Sequence, residues 1–384
     1  MMNKKNLVFL GVFLFILYFL GVNRSSYEPH QSVNVYGWYG VIPRDVLKDF
    51  EKETGIKVVY DVYDDNNSLE AKLLATNSGY DIVFPSFIPY AAKQVKMGAY
   101  QKLSLGHLNN IKNIESAITE KFKKAGGDTD YIVPLFWGTT GIAFEGKTIS
   151  RILPNEKITS YDILFKPENI RKLAKYGVAF PEEYIDIFPQ IKKFLKINGD
   201  SDNLEDINKY MSLLKSIRPY IKKFSSTTVV SDLLSGEVCI AVNQSDNTWR
   251  SMQSAGHVGK EIKYLLPKGC GLLWIDCVGI PKGAPHPDNA HKFLDYLLKP
   301  EIGARISNFS GMLVNIPKAI KFIKKEITDD KDVCPDDKEV LDNLIIGKPS
   351  HNIEDIKYDR TATRAWSQIR MNMFENKEDK IKND

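Results

Sequence analysis

The residues able to do chemistry lie where short apolar runs end. Trp38 and Tyr39 close SVNVYGWYG, and Ser86 closes YDIVFPS. Gln244, Asp246 and Asn247 follow GEVCIAV, and Trp274 and Asp276 stand in LLWIDCVGIP. Indole faces pack on methylenes and attract ammonium groups, at roughly 0.5–2 kcal/mol per cation–π contact. Carboxylates add charge-assisted hydrogen bonds to the same groups. Rings beside Asp or Glu therefore suit a ligand with an aliphatic body and cationic ends. Any one of these aromatics fits a core as well; their repeated pairing with acids at strand ends is what points to a ligand.

Other chemistries are poorly supported. Gly141–Thr148, GIAFEGKT, matches the phosphate-loop pattern G-x-x-x-x-G-K-[ST] letter for letter. Such a loop wraps phosphate with backbone N–H groups and then opens a helix. Here the interior is Ile-Ala-Phe, which suits a strand, and Pro154 leaves little room for the helix. LLWID could pose as the magnesium-binding strand of such an enzyme, so nucleotide hydrolysis stays as a distant alternative. The six histidines form no HExxH, no G-x-S-x-G elbow occurs, and no GxGxxG opens a helix after a strand. The acid pairs Asp64-Asp65 and Glu182-Glu183 read as solvated surface. No enzyme activity, metal or cofactor is expected. Cys239, Cys270, Cys277 and Cys334 show neither a CxxC pair nor zinc spacing, and read as buried or free thiols.

The elements that must position these residues alternate between strand and helix. VNVYGW has strand character, and RDVLKDFEKETG (44–55) places Val46, Leu47 and Phe50 on one helical face before Gly55. IKVVYDVY (56–63) is a strand, and Asn67 with Glu70 resembles a capping pair opening a helix through LEAKLLAT. YDIVFPS (80–86) is a short strand, and IPYAAKQVKMG (88–98) is a helix. YIVPLFW (131–137), GIAFE (141–145), GEVCIAVN (236–243) and LLWIDCVGIP (272–281) read as further strands. DNAHKFLDYLLKP (288–300) is an amphipathic helix stopped at Pro300. Strands joined by helices imply a mostly parallel sheet covered on both faces. Ligands in such sheets bind at the carboxyl ends of strands, where the aromatics and acids stand.

A chain of 384 residues exceeds the growth of one core, so two domains are expected. Lys+Arg number 52 against 48 Asp+Glu, a net charge of +4, which argues against nucleic acid as a partner. Lys4 and Lys5 precede the apolar run at 7–22, a secretory-type leader. A cleaved signal and a retained anchor, within residues 1–23, both fit its length. The last ten residues read as a frayed tail.

Taken together, the chain resembles the periplasmic polyamine-binding proteins of ABC importers, most closely the putrescine-binding branch. The resemblance covers about residues 31–370. It is carried by FEKETGIKVVYDVYDDNNSLEAKL (50–73), YDIVFPS (80–86), PLFWGTTGIAF (134–144), KPENIRKLAKYGVAF (166–180), GEVCIAV (236–242), FLDYLLKPEIGARIS (293–307) and DRTATRAW (359–366). It implies an α/β, two-lobed, type II solute-binding fold. Each lobe would hold a mixed, mostly parallel sheet flanked by helices, with two crossovers. One lobe would comprise 31–137 and 258–305, the other 138–257 and 306–384. Also implied are capture of a polyamine (putrescine or spermidine) in the cleft and delivery to an inner-membrane permease, by a monomer in the periplasm. A less cationic amine, or a receptor role without transport, remains as the alternative.

The resemblance also implies a ligand set: Trp38, Tyr39, Ser86, Glu183, Asp186, Gln244, Asn247, Trp274 and Asp276. Several of these depart from the family pattern. Tyr39 replaces a small hydroxyl residue, Gly40 an acid and Val41 a tyrosine. Asp186 shortens a glutamate, Gln244 replaces a tryptophan, Asn247 replaces an aspartate and Met312 a tyrosine. Tyr176 stands where the family has the disulfide partner of Cys239. A buried dication needs compensating charge. With positions 40 and 247 neutral, either Glu183 or Asp246 compensates, or the preferred ligand carries less positive charge.

Overall fold

The computed structural model describes residues 31–75, 78–154, 156–197, 203–347 and 353–372. The leader and the last ten residues lie outside the described residues. The chain opens with β1 (Ser32–Trp38), α1 (Arg44–Thr54) and β2 (Lys57–Tyr63). α1 buries Val46 and Phe50 and ends at Gly55, as its spacing predicts. β1 and β2 run parallel in the register Ser32↔Lys57 to Trp38↔Tyr63, which sets Trp38 beside Tyr63. The helix that follows, α2 (Asn66–Leu74), is capped two residues earlier than expected. Asp65 takes an extended backbone and its Oδ1 accepts from Ser68 N at 2.9 Å. Glu70 instead pairs with Lys93 at 2.7 Å.

β3 (Ile82–Val83) adds to the other side of β1. The helix expected at 88–98 is shorter, running Ala92–Lys96 after a wide turn over Phe87–Ala91. Pro89 lies in that turn and lacks the N–H that an α-helical ladder needs. β4 (Ile132–Glu145) is one strand of 14 residues where the sequence suggested two. It stays continuous through Gly138-Thr139-Thr140 because its neighbours overlap there. β9 (Leu272–Gly279) pairs with it from Ile132 to Thr140, and β7 (Ile240–Gln244) from Thr140 to Phe144.

Between these strands come β5 (Val178–Phe180), α3 (Leu204–Ile217), β6 (Lys223–Phe224), α4 (Ser245–Ala255) and β8 (Ile262–Leu265). After β9 follow α5 (Pro287–Leu297), α6 (Pro300–Ser310), β10 (Leu313–Val314), β11 (Ile345–Ile346) and α7 (Ile353–Arg370). Pro300 opens α6, where its missing N–H is harmless. The strand order is β2-β1-β3-β9-β4-β7-β5-β6. The outer pairs are parallel, whereas β3–β9, β9–β4 and β4–β7 are antiparallel. Two parallel half-sheets are thus joined through β4 and β9, which run from one lobe into the other: a two-lobed α/β solute-binding fold.

The core clusters follow this division. One gathers residues from Val33 to Trp137 together with Trp249, Tyr264, Leu266 and Leu273 to Leu344, and the main second one runs from Ile142 to Val242 and adds Tyr358 to Ile369. Two stretches pack otherwise than the expected lobe boundaries put them. β8 pairs with Ile142–Glu145 of β4, and its stretch is shared, with Tyr264 and Leu266 in the first core and Leu265 and Cys270 against the second. Ile306, Leu313, Ile316, Ala319 and Ile327 pack into the first core, and β10 pairs with Phe136 and Trp137. Residues of the 306–344 stretch thus pack into the first core, and α7 packs into the second.

The phosphate-loop match resolves as strand and cap. Gly141–Glu145 lies in β4, and a helix of 7 residues, Gly146–Ile152, follows. Glu145 Oε2 accepts from Thr148 N at 2.7 Å, and Gly146 N donates to Glu261 O at 2.7 Å. Two of the N–H groups that would cradle phosphate are already used. All four cysteines are free thiols, and Cys239 is buried.

Candidate functional site: a cleft between the lobes

The first-lobe wall is built on the carboxyl ends of β1 and β3. Trp38 tilts against Tyr63 with ring centroids 4.4 Å apart, and Tyr60 Oη donates to Trp38 O at 3.0 Å. Tyr36 instead stacks on Tyr80 and is buried, a packing residue. Ser86 follows β3 and forms an isolated bridge to Asp276 of β9. Its Oγ donates to Asp276 Oδ1 at 2.7 Å. Asn66, at the start of α2, holds Ser86 from the other side: Ser86 N donates to Asn66 Oδ1 at 3.0 Å, and Asn66 Nδ2 donates to Ser86 Oγ at 3.1 Å.

Asp276 opposes Phe136 on the crossover pair, at 5% exposure. Burial pushes its carboxyl up to about 7; Ser86 opposes that rise, while Asp246 across the cleft adds to it. Trp274, two residues earlier on β9, lies over Gly138 of β4. A Cβ at 138 would collide with the indole and come within 2.8 Å of Ser245 Oγ, so glycine makes the room for this ring.

The second-lobe wall comes from the end of β5 and the β7–α4 junction. Asp186 sits in the turn Tyr184–Asp186, whose carbonyl end is held by Gln190 Nε2 at 2.9 Å. Burial pushes the Asp186 carboxyl up to about 7, and Glu183 adds to the shift. Asp186, Thr140, Ser226, Gln244 and Asn247 line one small cavity. Gln244 precedes α4, and Asn247 Nδ2 donates to its Oε1 at 3.2 Å. Asp246, at 2% exposure, pairs through Oδ2 with Arg250 Nη2 at 3.1 Å. Burial raises the Asp246 carboxyl, and Arg250 pulls it back.

The walls meet. Glu183 of the second lobe adds to the rise of the Tyr90 phenol, a first-lobe group that burial pushes up to about 12. Trp249 Nε1, Trp274 Nε1, Thr140 Oγ1, Asp246 Oδ1 and Arg250 Nε are buried with no hydrogen-bond partner among the described residues, and the Trp38 indole, without a close partner of its own, favours the ionised form of Asp276. Buried polar groups are normally paired, so this concentration marks a place prepared for a guest. Of the residues expected from sequence, Ser86 and Asp276 are joined by a direct bond at one wall, and Asp186, Gln244 and Asn247 share the cavity at the other. Tyr39 is 78% exposed and is not enclosed with them. It lies in the turn beyond the end of β1, where the chain leaves the sheet.

Sequence reasoning passed over Asn66, Tyr90, Thr140, Trp249 and Arg250. A signal existed for Arg250, four residues after Asp246 on a helix, a spacing that puts the pair on one face.

Comparison with known proteins agrees with this architecture. Residues 45–334 match the family of bacterial extracellular solute-binding proteins. The putrescine-binding periplasmic protein SpuD of Pseudomonas aeruginosa is 36% identical over 89% of this chain and 92% of its own length. The putrescine-binding periplasmic protein PotF of Escherichia coli is 31% identical over 88% of this chain and 91% of its own. The crystal structure of the spermidine/putrescine transporter substrate-binding protein PotD of Streptococcus pneumoniae superposes with a TM-score of 0.75 at 22% identity, covering 88% of this chain and 99% of that one. A two-lobed fold with unpaired polar atoms between its lobes and a family match over most of its length lead to one conclusion: this chain belongs to the bacterial extracellular solute-binding proteins, alongside relatives named for putrescine.

Proposed function

We propose that the cleft captures an aliphatic primary amine, the class of putrescine and spermidine, and delivers it to the permease of an ABC importer. The observation that carries this reading is Asp276: a carboxyl group at 5% exposure, hydrogen-bonded to Ser86, with no ion-pair partner among the described residues. A buried carboxylate is costly without a cation, and an ammonium supplies one. Trp38 and Trp274 would pack on the methylenes, and Asp186 with Glu183 would serve the far end of a longer amine. The protein would act as a monomer in the periplasm, exported by the segment at 1–23, which is cleaved or kept as an anchor.

Thermal shift with putrescine, cadaverine, spermidine, spermine and a simple monoamine tests the reading. A ligand at 100 times its Kd adds about 2.7 kcal/mol of stability. Stabilisation by at least one amine is expected. No shift with any of them would remove the amine assignment and leave the fold untouched.

A further inference from the structure

The departures at 40 and 247 meet at one group. Arg250 Nη2 donates to Asp246 Oδ2 at 3.1 Å and to Asn247 Oδ1 at 2.5 Å. Its Nη1 lies 3.9 Å from the point where a side chain on Gly40 would begin. Gly40 belongs to the first-lobe turn after Trp38, so this guanidinium of the second lobe reaches across the cleft to the place where the family pattern has an acid. Arg250 Nε is buried and unpaired, as are the indole N–H groups of Trp249 and Trp274 and the Asp246 Oδ1 oxygen, while the Trp38 indole serves Asp276.

Apart from Asp246 Oδ1, which accepts, these orphans are donors. A buried donor left unpaired costs about 1–3 kcal/mol. A diammonium ligand brings more donors and none of the acceptors that they need. It would also place its second charge near a guanidinium whose neighbours at 40 and 247 are neutral, and whose one carboxylate partner, Asp246, is already engaged. At roughly 4 Å, two like charges repel by about 1 kcal/mol even in water, and by more where water is excluded.

We infer that the cleft takes an aliphatic amine whose second end is a hydrogen-bond acceptor, a carboxylate in first place. The ammonium sits on Asp276 and the acceptor on Arg250. This rests on the reading of the cleft as an amine site and narrows it. Arg250 is then the residue that sets specificity, and the bonds to Asp246 and Asn247 hold its fork in position.

Calorimetric titration with two probes of equal length, 4-aminobutanoate and 1,4-diaminobutane, tests this. The wild-type protein is expected to bind the amino acid at least tenfold more tightly. Arg250→Gln should lower that ratio at least tenfold. Asn247→Asp, which returns a carboxylate beside the guanidinium without changing shape, should lower it as well, and serves if the first variant fails to fold. A wild-type preference for the diamine, or a ratio that moves less than tenfold in both variants, overturns the inference. Diamine binding with an unmoved ratio removes this inference alone. If neither probe binds and no amine stabilises the protein, the amine reading falls with it.

Discussion

Two buried carboxylates face each other across the cleft, and they are neutralised in opposite ways. Asp246 has Arg250 one helical turn away and is paired before any ligand arrives. Asp276 has a serine hydroxyl, the Trp38 indole and no ion-pair partner among the described residues, and burial pushes its carboxyl up to about 7. The pair shows how a binding site differs from a structural ion pair in the same surroundings. Where the protein supplies the counter-charge, the acid is part of the scaffold. Where it does not, the cost of ionisation is left for a ligand to relieve.

The largest expected effect comes from exchanging each acid for its amide. Asp276→Asn should weaken amine binding at least tenfold, the loss of a charge-assisted contact worth about 1.5–3 kcal/mol. The apo protein should melt no lower at pH 8, because an amide can still accept from Ser86 and no longer carries a buried charge. Asp246→Asn should do the reverse: the apo melting temperature falls as Arg250 loses its partner, and affinity changes by threefold or less. Calorimetry and thermal melts on both variants read the contrast. Equal affinity losses would erase the distinction.

Next comes pH. Asp276 and Asp186 both rise to about 7 in the empty protein, so each holds a proton at pH 6 that it has lost at pH 8. A cationic ligand needs the ionised form, and binding should weaken as pH falls through 7, by roughly tenfold between pH 8 and 6 for each linked carboxylate. Stability of the empty protein runs the other way. Folded carboxyls that bind protons more tightly than unfolded ones favour the fold at about pH 4, and that advantage is lost as pH rises to 7. Titrations at several pH values check the first statement and apo melts the second. Asp246 should contribute less to either slope, since Arg250 opposes its shift.

A smaller effect is expected from the rings. Trp274→Leu removes one face from the ligand's methylenes, at roughly 0.5–2 kcal/mol, or about fivefold in affinity for amines. Because Gly138 was cleared for the indole, the leucine leaves a gap, and some loss of melting temperature should accompany it. An affinity unchanged by this substitution would place the ligand away from β9.

What the sequence revealed and what it hid follow the same divide. Local periodicity showed α1, β2 and the parallel half-sheets, because each element's pattern is contained within it. Trp38 and Ser86 were legible because strand ends can be found by eye, whereas Trp274 and Asp276 were picked out by their residue types and lie inside β9. The continuity of β4 was not, since the Gly138-Thr139-Thr140 break in its apolar run is bridged by pairings with β7 and β9 that no window along the chain contains. The packing of β8 and of the 306–344 stretch was hidden for a similar reason: it shows only through the partners they meet. Arg250 shows its helical pairing with Asp246 in the spacing, but its nearness to Gly40 of the opposite lobe appears only when the walls are assembled.

The finest test concerns Ser86, whose hydroxyl donates to Asp276 and accepts from Asn66. A donor to a carboxylate favours its ionised form, so Ser86→Ala should move the ionisation of Asp276 above about 7. At pH 7 a smaller fraction of the site is then charged, and amine affinity should fall by about threefold. By pH 8.5 most of that loss should return, because the carboxylate is ionised with or without the serine. A loss of the same size at every pH would mean that Ser86 meets the ligand directly, so the shape of the curve, more than its height, separates a residue that tunes Asp276 from one that shares its guest.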